Sequence, residues 1–292
     1  MNAGFLTKLF TAYPYIYFIN KLSSQTLINE CINDNHYYSH LHLDLSWAIF
    51  LNCNTLKSTE LGNILDPFCL QLESVSPRVH IVKATPEMYS KLGFPEEEQQ
   101  IHKSIAKRQR EFRAGRNAAR AAIQMLSLSQ DNGNSPLILT GKSREPLFPQ
   151  PISGSISHTD GICLAGCALK SDIASLGIDV ERNVPLASHL FTSIYTGDEQ
   201  NLIKSSSHLP DALIFSIKES LFKCCFPFVQ VYFDFLEAQI TLLPESKNSG
   251  QFRFELIGNN QTSLTAKLPD LPFHGYYCFN KQFIFSLCYF SS

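Results

Sequence analysis

From Pro77 onward, apolar and polar positions alternate with readable periods. Arg78-Val79-His80-Ile81-Val82-Lys83 has the two-residue period of a strand. Over residues 95–128, Phe112, Gly115, Ala119, Ile123 and Leu126 fall near helical spacing, behind a Phe94-Pro95 start. Glu96, Glu97 and Glu98 suit the positive end of that helix, so one long helix is expected there. A turn-rich break at Asp131 to Pro136 follows, then short apolar strands around Ile156, over 162–169 and over 176–180. A second helix is expected over 211–225, with Ile214, Ile217, Leu221 and Cys224 as its buried stripe and Pro227 as its stop. Residues 231–242, 251–257 and 279–289 read as strands joined by polar turns. The order of helix, strands, helix, strands predicts an α+β fold in two halves rather than a doubly wound sheet.

Residues 1–72 are less regular. The apolar, aromatic start is interrupted by Lys8, Pro14 and Asn20, and no run reaches the ~18 residues of a spanning helix. No secretory cleavage pattern accompanies it, so neither a membrane span nor a leader is expected. His36, His40 and His42 invite a metal reading, but His40 and His42 alternate with Leu41, Leu43 and Leu45, which is ordinary strand periodicity in a tyrosine-rich segment.

Composition narrows the class. A chain of 292 residues corresponds to about two domains' worth of sequence, and 44% hydrophobic residues supply a large core. Its net charge of -2 excludes a polyanion binder acting through the whole surface, so any attraction to phosphate must be local. Nine cysteines with no Cys-x-x-Cys pair suit reduced thiols in a cytoplasmic protein better than a disulfide or zinc framework.

Four segments carry candidate chemistry. Between Lys103 and Arg120 lie seven cations and one acid, Glu111, and Arg113, Arg116 and Arg120 project from one helical face. Arginine forks match phosphate oxygens, although a solvated amphipathic helix has the same pattern. Gly115 costs ~1 kcal/mol within a helix and asks for a close approach as its reason. In Gly154-Ser155-Ile156-Ser157-His158, the histidine can serve a phosphate or a proton transfer. Ser157 and His158, as strand neighbours, point to opposite faces, which argues against a serine hydrolase. Gly177-Ile178-Asp179-Val180-Glu181 sets Asp179 and Glu181 on one strand face, where a hard dication would relieve their repulsion; an exposed strand end is the plain alternative. In Phe215-Ser216-Ile217-Lys218-Glu219-Ser220-Leu221-Phe222-Lys223, Glu219 and Lys223 form an i, i+4 pair, a common stabilising motif taken alone. Together these segments hold the parts for metal-assisted transfer at a polyphosphate.

In this order the same blocks resemble the signature of 4'-phosphopantetheinyl transferases, in particular the enterobactin synthetase component D type. Arg113-Ala114-Gly115-Arg116-Asn117-Ala118-Ala119-Arg120, Arg144-Glu145-Pro146-Leu147-Phe148-Pro149 and Asp234-Phe235-Leu236-Glu237-Ala238 are similar to further blocks of that subgroup. The resemblance spans residues 75–292, departs from many relatives at Phe215, where they carry tryptophan, and leaves residues 1–72 without a counterpart. It implies two pseudo-symmetric halves, 73–174 and 175–292, each a long helix on a small antiparallel sheet, with the active site between them. It further implies transfer of the phosphopantetheine arm of coenzyme A to a serine of an apo carrier protein, with release of adenosine 3',5'-bisphosphate. On this reading Asp179, Glu181 and Glu219 hold Mg2+, and Glu219 or a metal-bound water takes the serine proton. Lys223 and His158 neutralise phosphate, Arg113, Arg116 and Arg144 lie near the nucleotide, and Lys218 is a further phosphate contact. The expected partners are peptidyl, aryl or acyl carrier domains of siderophore or other nonribosomal peptide synthesis, docked in part on Lys103 to Arg110, and the protein is expected to act as a monomer.

Two other classes use some of these residues. A nucleic-acid binder would use the basic helix but leave Asp179, Glu181 and Glu219 without a role. A metal-dependent phosphohydrolase would use the same site with water as the acceptor.

Overall fold

Two antiparallel sheets and two long helices dominate residues 79–126 and 135–292, the part of the chain that this computed structural model describes. The expectations for residues 1–72, and most of the turn at 131–136, lie outside the described residues. In chain order the elements are β1 (His80–Lys83), α1 (Pro86–Ser90), α2 (Pro95–Ile101), α3 (Ala106–Met125), the short strands β2 (Leu139–Thr140) and β3 (Pro146–Leu147), β4 (Ile152–Thr159), β5 (Ile162–Leu169) and β6 (Ile173–Arg182). They continue as α4 (Ser188–Ile194), α5 (Gly197–Ser205), α6 (Leu213–Val229), β7 (Ala238–Pro244), β8 (Ser249–Leu256), α7 (Gln261–Thr265), β9 (Phe273–Phe279) and β10 (Phe283–Ser291). The mixed α and antiparallel-β architecture is the one the pattern predicts. The sheets are unequal: three strands in the order β1-β5-β4, and five in the order β6-β10-β9-β8-β7.

Side-chain alternation explains how these layers stack. On β5, Cys163, Ala165 and Cys167 pack under α3 against Ala114, Ala118, Ala119 and Ala122. Ile162 and Leu164 join the opposite core with Ile178 and Val180 of β6 and Phe285 and Leu287 of β10. Small residues on both partners let α3 lie close to its sheet. Gly115 belongs to that contact: an added Cβ would come 2.8 Å from Ile156 Cγ2, so its reason is packing, not the approach of a ligand. On the other side, α6 packs on β6 and β10, burying Ile217, Leu221 and Cys224 with Ile284 and Cys288. Gly177 lets β6 pass directly under α6, since a Cβ there would strike the Ser220 carbonyl oxygen and lie 2.7 Å from the Cys224 nitrogen.

Several boundaries differ from the expectation, each for a local reason. The single helix over 95–128 is two, α2 and α3, because the Gln109 amide reaches back to the carbonyls of Ile101, His102 and Ser104 and supports a break there. Pro227 lies inside α6 and does not stop it; close to the helix end, it forfeits little of the hydrogen-bond ladder. Residues 231–237 are not strand, because Asp234 caps a short 3-10 turn, accepting from Leu236 N at 3.0 Å, before β7 begins. The strand expected over 279–289 is two, divided where Asn280 Oδ1 accepts from Gln282 N and Phe283 N at 2.7 and 2.9 Å.

Candidate active site

Strands β4 and β6 run side by side without a shared backbone ladder among the described pairings, and side-chain hydroxyls join them. Ser155 Oγ accepts from Ile178 N at 3.0 Å, and Ser157 Oγ accepts from Val180 N at 3.2 Å. The Ser157 hydroxyl then donates to Asp179 Oδ1 at 2.8 Å, and Thr159 donates to Glu181 Oε2 at 3.3 Å. Alternation sends Ser155, Ser157 and Thr159 toward β6, while Ile156 and His158 face α3.

Asp179 and Glu181 share the β6 face that looks toward α6, as their i, i+2 spacing predicts. Lys223, one turn beyond Glu219 on α6, donates to Asp179 Oδ1 at 2.7 Å and to the Ile178 carbonyl at 3.1 Å. Oδ1 therefore has two donors, whereas Asp179 Oδ2 is buried and has none. Burial, reinforced by the Asp179 charge, pushes Glu181 up to about 7. Burial also raises Glu219, with Lys223 opposing and Asp179 adding to the effect. Three carboxylates thus feel one another's charge around a single lysine. Among the described residues, no group of three or more His, Cys, Asp or Glu is gathered closely enough to hold a metal ion.

His158 meets the first turns of α3. Arg108, which can only donate, points Nη1 at His158 Nε2 at 3.1 Å, so Nε2 holds the lone pair and the ring proton sits on Nδ1, 3.8 Å from Glu111 Oε2. Burial holds the imidazole below its ordinary pKa, so at neutral pH it is uncharged here and the cation at this spot is Arg108. Lys107 flanks the group, 3.4 Å from Asp160 and 3.9 Å from Glu111.

The structure pairs Lys223 with Asp179, leaves Glu181 and Glu219 within reach of that pair's charge, and sets His158 against Arg108, but other residues expected at the site have different occupations. Lys218 is 2% exposed, with its ammonium held by Glu199 at 2.7 Å and by the Ile194 and Phe235 carbonyls at 2.8 Å each. It is a scaffold residue, on the face of α6 away from Glu219. Arg116 is 6% exposed and donates to the Ile138 carbonyl at 2.7 Å and to Thr140 Oγ1 at 3.1 Å. It too is directed into the fold rather than toward a nucleotide. Arg113 forks Glu98, with the shortest contact 2.7 Å, and Arg120 binds the fully buried Glu97 at 2.8 Å. Arg144 stands exposed on the β2–β3 turn with φ 70, and no hydrogen bond or ion pair among the described residues ties it to the His158 group.

Sequence reasoning passed over Arg108 and Glu111 as partners of His158, and over the hydroxyls that orient the carboxylates. The hydroxyls had a legible signal: Ser155, Ser157 and Thr159 repeat at period two on a strand whose neighbours are apolar.

A mixed α and antiparallel-β chain with carboxylates, a lysine, an arginine and a histidine along one seam defines a class with groups of both charges beside one another, suited to transfer chemistry. The comparisons make the class specific. The model for the 4'-phosphopantetheinyl transferase N-terminal domain matches residues 96–168, and that for the 4'-phosphopantetheinyl transferase superfamily matches residues 175–276. The chain is 34% identical to 4'-phosphopantetheinyl transferase Svp of Streptomyces mobaraensis, over 57% of this chain and 68% of that protein. It is 33% identical to 4'-phosphopantetheinyl transferase Npt of Nocardia iowensis, over 65% and 86% of the two chains. Enterobactin synthase component D of Salmonella typhi is 34% identical over 40% of this chain and 48% of its own length. The chain belongs to the 4'-phosphopantetheinyl transferase superfamily, and its enzymatic class is phosphopantetheinyl transfer.

Proposed function

We propose that the protein transfers the 4'-phosphopantetheine arm of coenzyme A to a serine of an apo carrier protein, with magnesium as its cation. The observation that supports this most is the state of Asp179. One oxygen is fixed by Ser157 and Lys223, and the other is buried without a partner, beside two carboxylates whose pKa values are raised. An all-oxygen donor set with surplus negative charge is what a hard dication relieves, and magnesium needs only one or two protein carboxylates, with water and phosphate oxygens completing its shell. Asp179, Glu181 and Glu219 would hold it. When bound, it neutralises the pyrophosphate and makes the phosphorus under attack more electrophilic.

The chain's own residues supply the rest. The carrier serine is a weak nucleophile, and Glu219, whose proton affinity is raised by burial, is the acceptor for its proton. The serine oxygen forms the new bond to phosphorus while the bond to the leaving phosphate breaks, releasing adenosine 3',5'-bisphosphate. Lys223 keeps positive charge beside Asp179, and Arg108 with His158 offers donors to a phosphate oxygen at the α3 end of the seam. The exposed Lys103, Lys107, Arg108 and Arg110 give an acidic carrier a complementary surface.

The partial similarity to enterobactin synthase component D favours a peptidyl or aryl carrier of siderophore or other nonribosomal peptide synthesis over a fatty-acid carrier. We place the halves at 73–174 and 175–292 and the protein in the cytoplasm, where the six described cysteines, all buried, stay reduced. The test is the intact mass of purified apo carrier domains incubated with the protein, coenzyme A and magnesium. A gain of one phosphopantetheine group, absent with Asp179→Ala or chelator, is expected. Coenzyme A cleavage with no carrier modified would instead select a phosphohydrolase.

A further inference from the structure

The seam between β4 and β6 makes two kinds of bond with the same residue type. Ser155 and Ser157 each accept a backbone N–H from β6, at 3.0 and 3.2 Å, and each is buried, at 3% and 4% exposure. Structurally they do the same work of standing in for a missing ladder. Only Ser157 goes on to donate to a carboxylate. Because Val180 N–H occupies a lone pair of Ser157 Oγ, the hydroxyl proton is directed away from the backbone and onto Asp179 Oδ1.

With Lys223 on that same oxygen, the carboxylate is held from two sides at 2.8 and 2.7 Å, and this fixes which oxygen is left over. The leftover oxygen, Oδ2, is the buried atom without a partner. Thr159 repeats the arrangement one pleat along, donating to Glu181 Oε2.

We propose that Ser157 is a positioning residue for the divalent cation, turning Asp179 so that Oδ2 faces the cation, and that Thr159 does the same more weakly for Glu181. This inference rests on the magnesium reading above, and it assigns Ser157 no contact with substrate. Partners of this kind, one bond behind a ligand, typically change metal affinity by ~10–100-fold when removed.

Ser155→Ala is the built-in control, because it removes an equivalent seam bond without touching a carboxylate. Mn2+ is titrated into the full chain with coenzyme A present, and free Mn2+ is followed by electron paramagnetic resonance. Ser157→Ala should weaken protein-bound Mn2+ by about tenfold or more, with Ser155→Ala at the wild-type value. Equal affinity in Ser157→Ala and wild type would overturn the inference. So would equal losses in both serine variants, because the effect would then be loosening of the seam and not orientation of Asp179. A wild-type chain that binds no Mn2+ would overturn the magnesium reading itself, and the inference with it. If Ser157→Ala fails to fold, Ser157→Cys keeps the shape and a weak donor and should fall between wild type and Thr159→Val/Ser157→Cys; a Ser157→Cys chain with unchanged affinity counts against the proposal.

Discussion

Replacing Lys218 by methionine separates a scaffold ammonium from a substrate-facing one. Lys218 Nζ donates to Glu199 Oε2 at 2.7 Å and to the carbonyls of Ile194 and Phe235 at 2.8 Å each. Methionine keeps most of the side chain's length and volume, so the packing survives while the charge and all three donors go. Glu199, 1% exposed, would then hold its charge on two backbone donors alone, Thr196 N at 2.9 Å and Ile240 N at 2.8 Å. Removing one partner of a buried pair costs ~3–5 kcal/mol, because the remaining charge is left uncompensated. That is a large part of the ~5–15 kcal/mol a folded domain holds. At ~2–4 °C per kcal/mol for a chain of this size, the melting temperature should fall by ~6–20 °C. Calorimetry reads that fall, and steady-state kinetics well below the new midpoint should give a wild-type KM for coenzyme A. Lys223→Met also strands a buried carboxylate, Asp179, so it should lose turnover and melt lower, with its KM and turnover, unlike those of Lys218→Met, changed well below the new midpoint. A Lys218→Met protein that melts with wild type while its KM for coenzyme A rises would refute the burial argument and return Lys218 to the phosphate.

Gly177→Ala places a methyl against the Ser220 carbonyl and 2.7 Å from the Cys224 nitrogen, so α6 must move off β6. Overpacking of this kind costs ~1–3 kcal/mol, and thermal unfolding should show it together with loss of transfer activity, since Glu219 and Lys223 travel with the helix. Glu181, pushed up to about 7 from 4.5, carries a proton in the metal-free protein below neutral pH. A cation needs the carboxylate, so binding must release that proton, and Mn2+ affinity should weaken as pH falls through about 7. Calorimetry in two buffers of different ionisation heat reads the release, and Glu181→Gln should reduce it, Glu219 supplying what is left. Arg108→Met removes a positive neighbour that holds His158 down, so the imidazole should titrate at higher pH, read from its ring proton resonance by NMR. An unmoved resonance would dismiss the contact.

The parts of the molecule legible in the sequence are those fixed by short-range periodicity. The face that β6 turns to α6 follows from the two-residue period, and with it the neighbourhood of Asp179 and Glu181. The helical period places Glu219 and Lys223 together on α6. Illegible were facts that depend on what lies across the fold. Arg113, Arg116 and Arg120 share a helical face, as spacing says, but spacing does not disclose that Glu98, Ile138 and Glu97 wait opposite them. Lys218 adjoins Glu219 in sequence yet points about 100° around the helix, and only the placement of α5, which carries Glu199, shows what it meets. The division of α2 from α3 rests on one side-chain amide, that of Gln109, satisfying three carbonyls, a choice no propensity scale contains.

What separates the scaffold charges from those of the site is whether their oxygens are complete. Glu97 Oε1 accepts from Arg120 and Ile138 N, and its Oε2 from Arg120 and Phe94 N. Glu199 Oε1 accepts from Ile240 N, and its Oε2 from Lys218 and Thr196 N. Both carboxylates are buried with nothing outstanding, as stable buried ion pairs require. Asp179 is as deeply buried, at 2% exposure, yet one of its oxygens is fully engaged and the other has no donor at all. Leaving such an atom unsatisfied costs ~1–3 kcal/mol. Ser157 instead takes the oxygen that Lys223 already holds. A second donor placed on a satisfied oxygen, beside an unsatisfied one, makes little sense as stabilisation. It makes sense as orientation, because the proposed cation can then reach Oδ2 without displacing either Lys223 or Ser157.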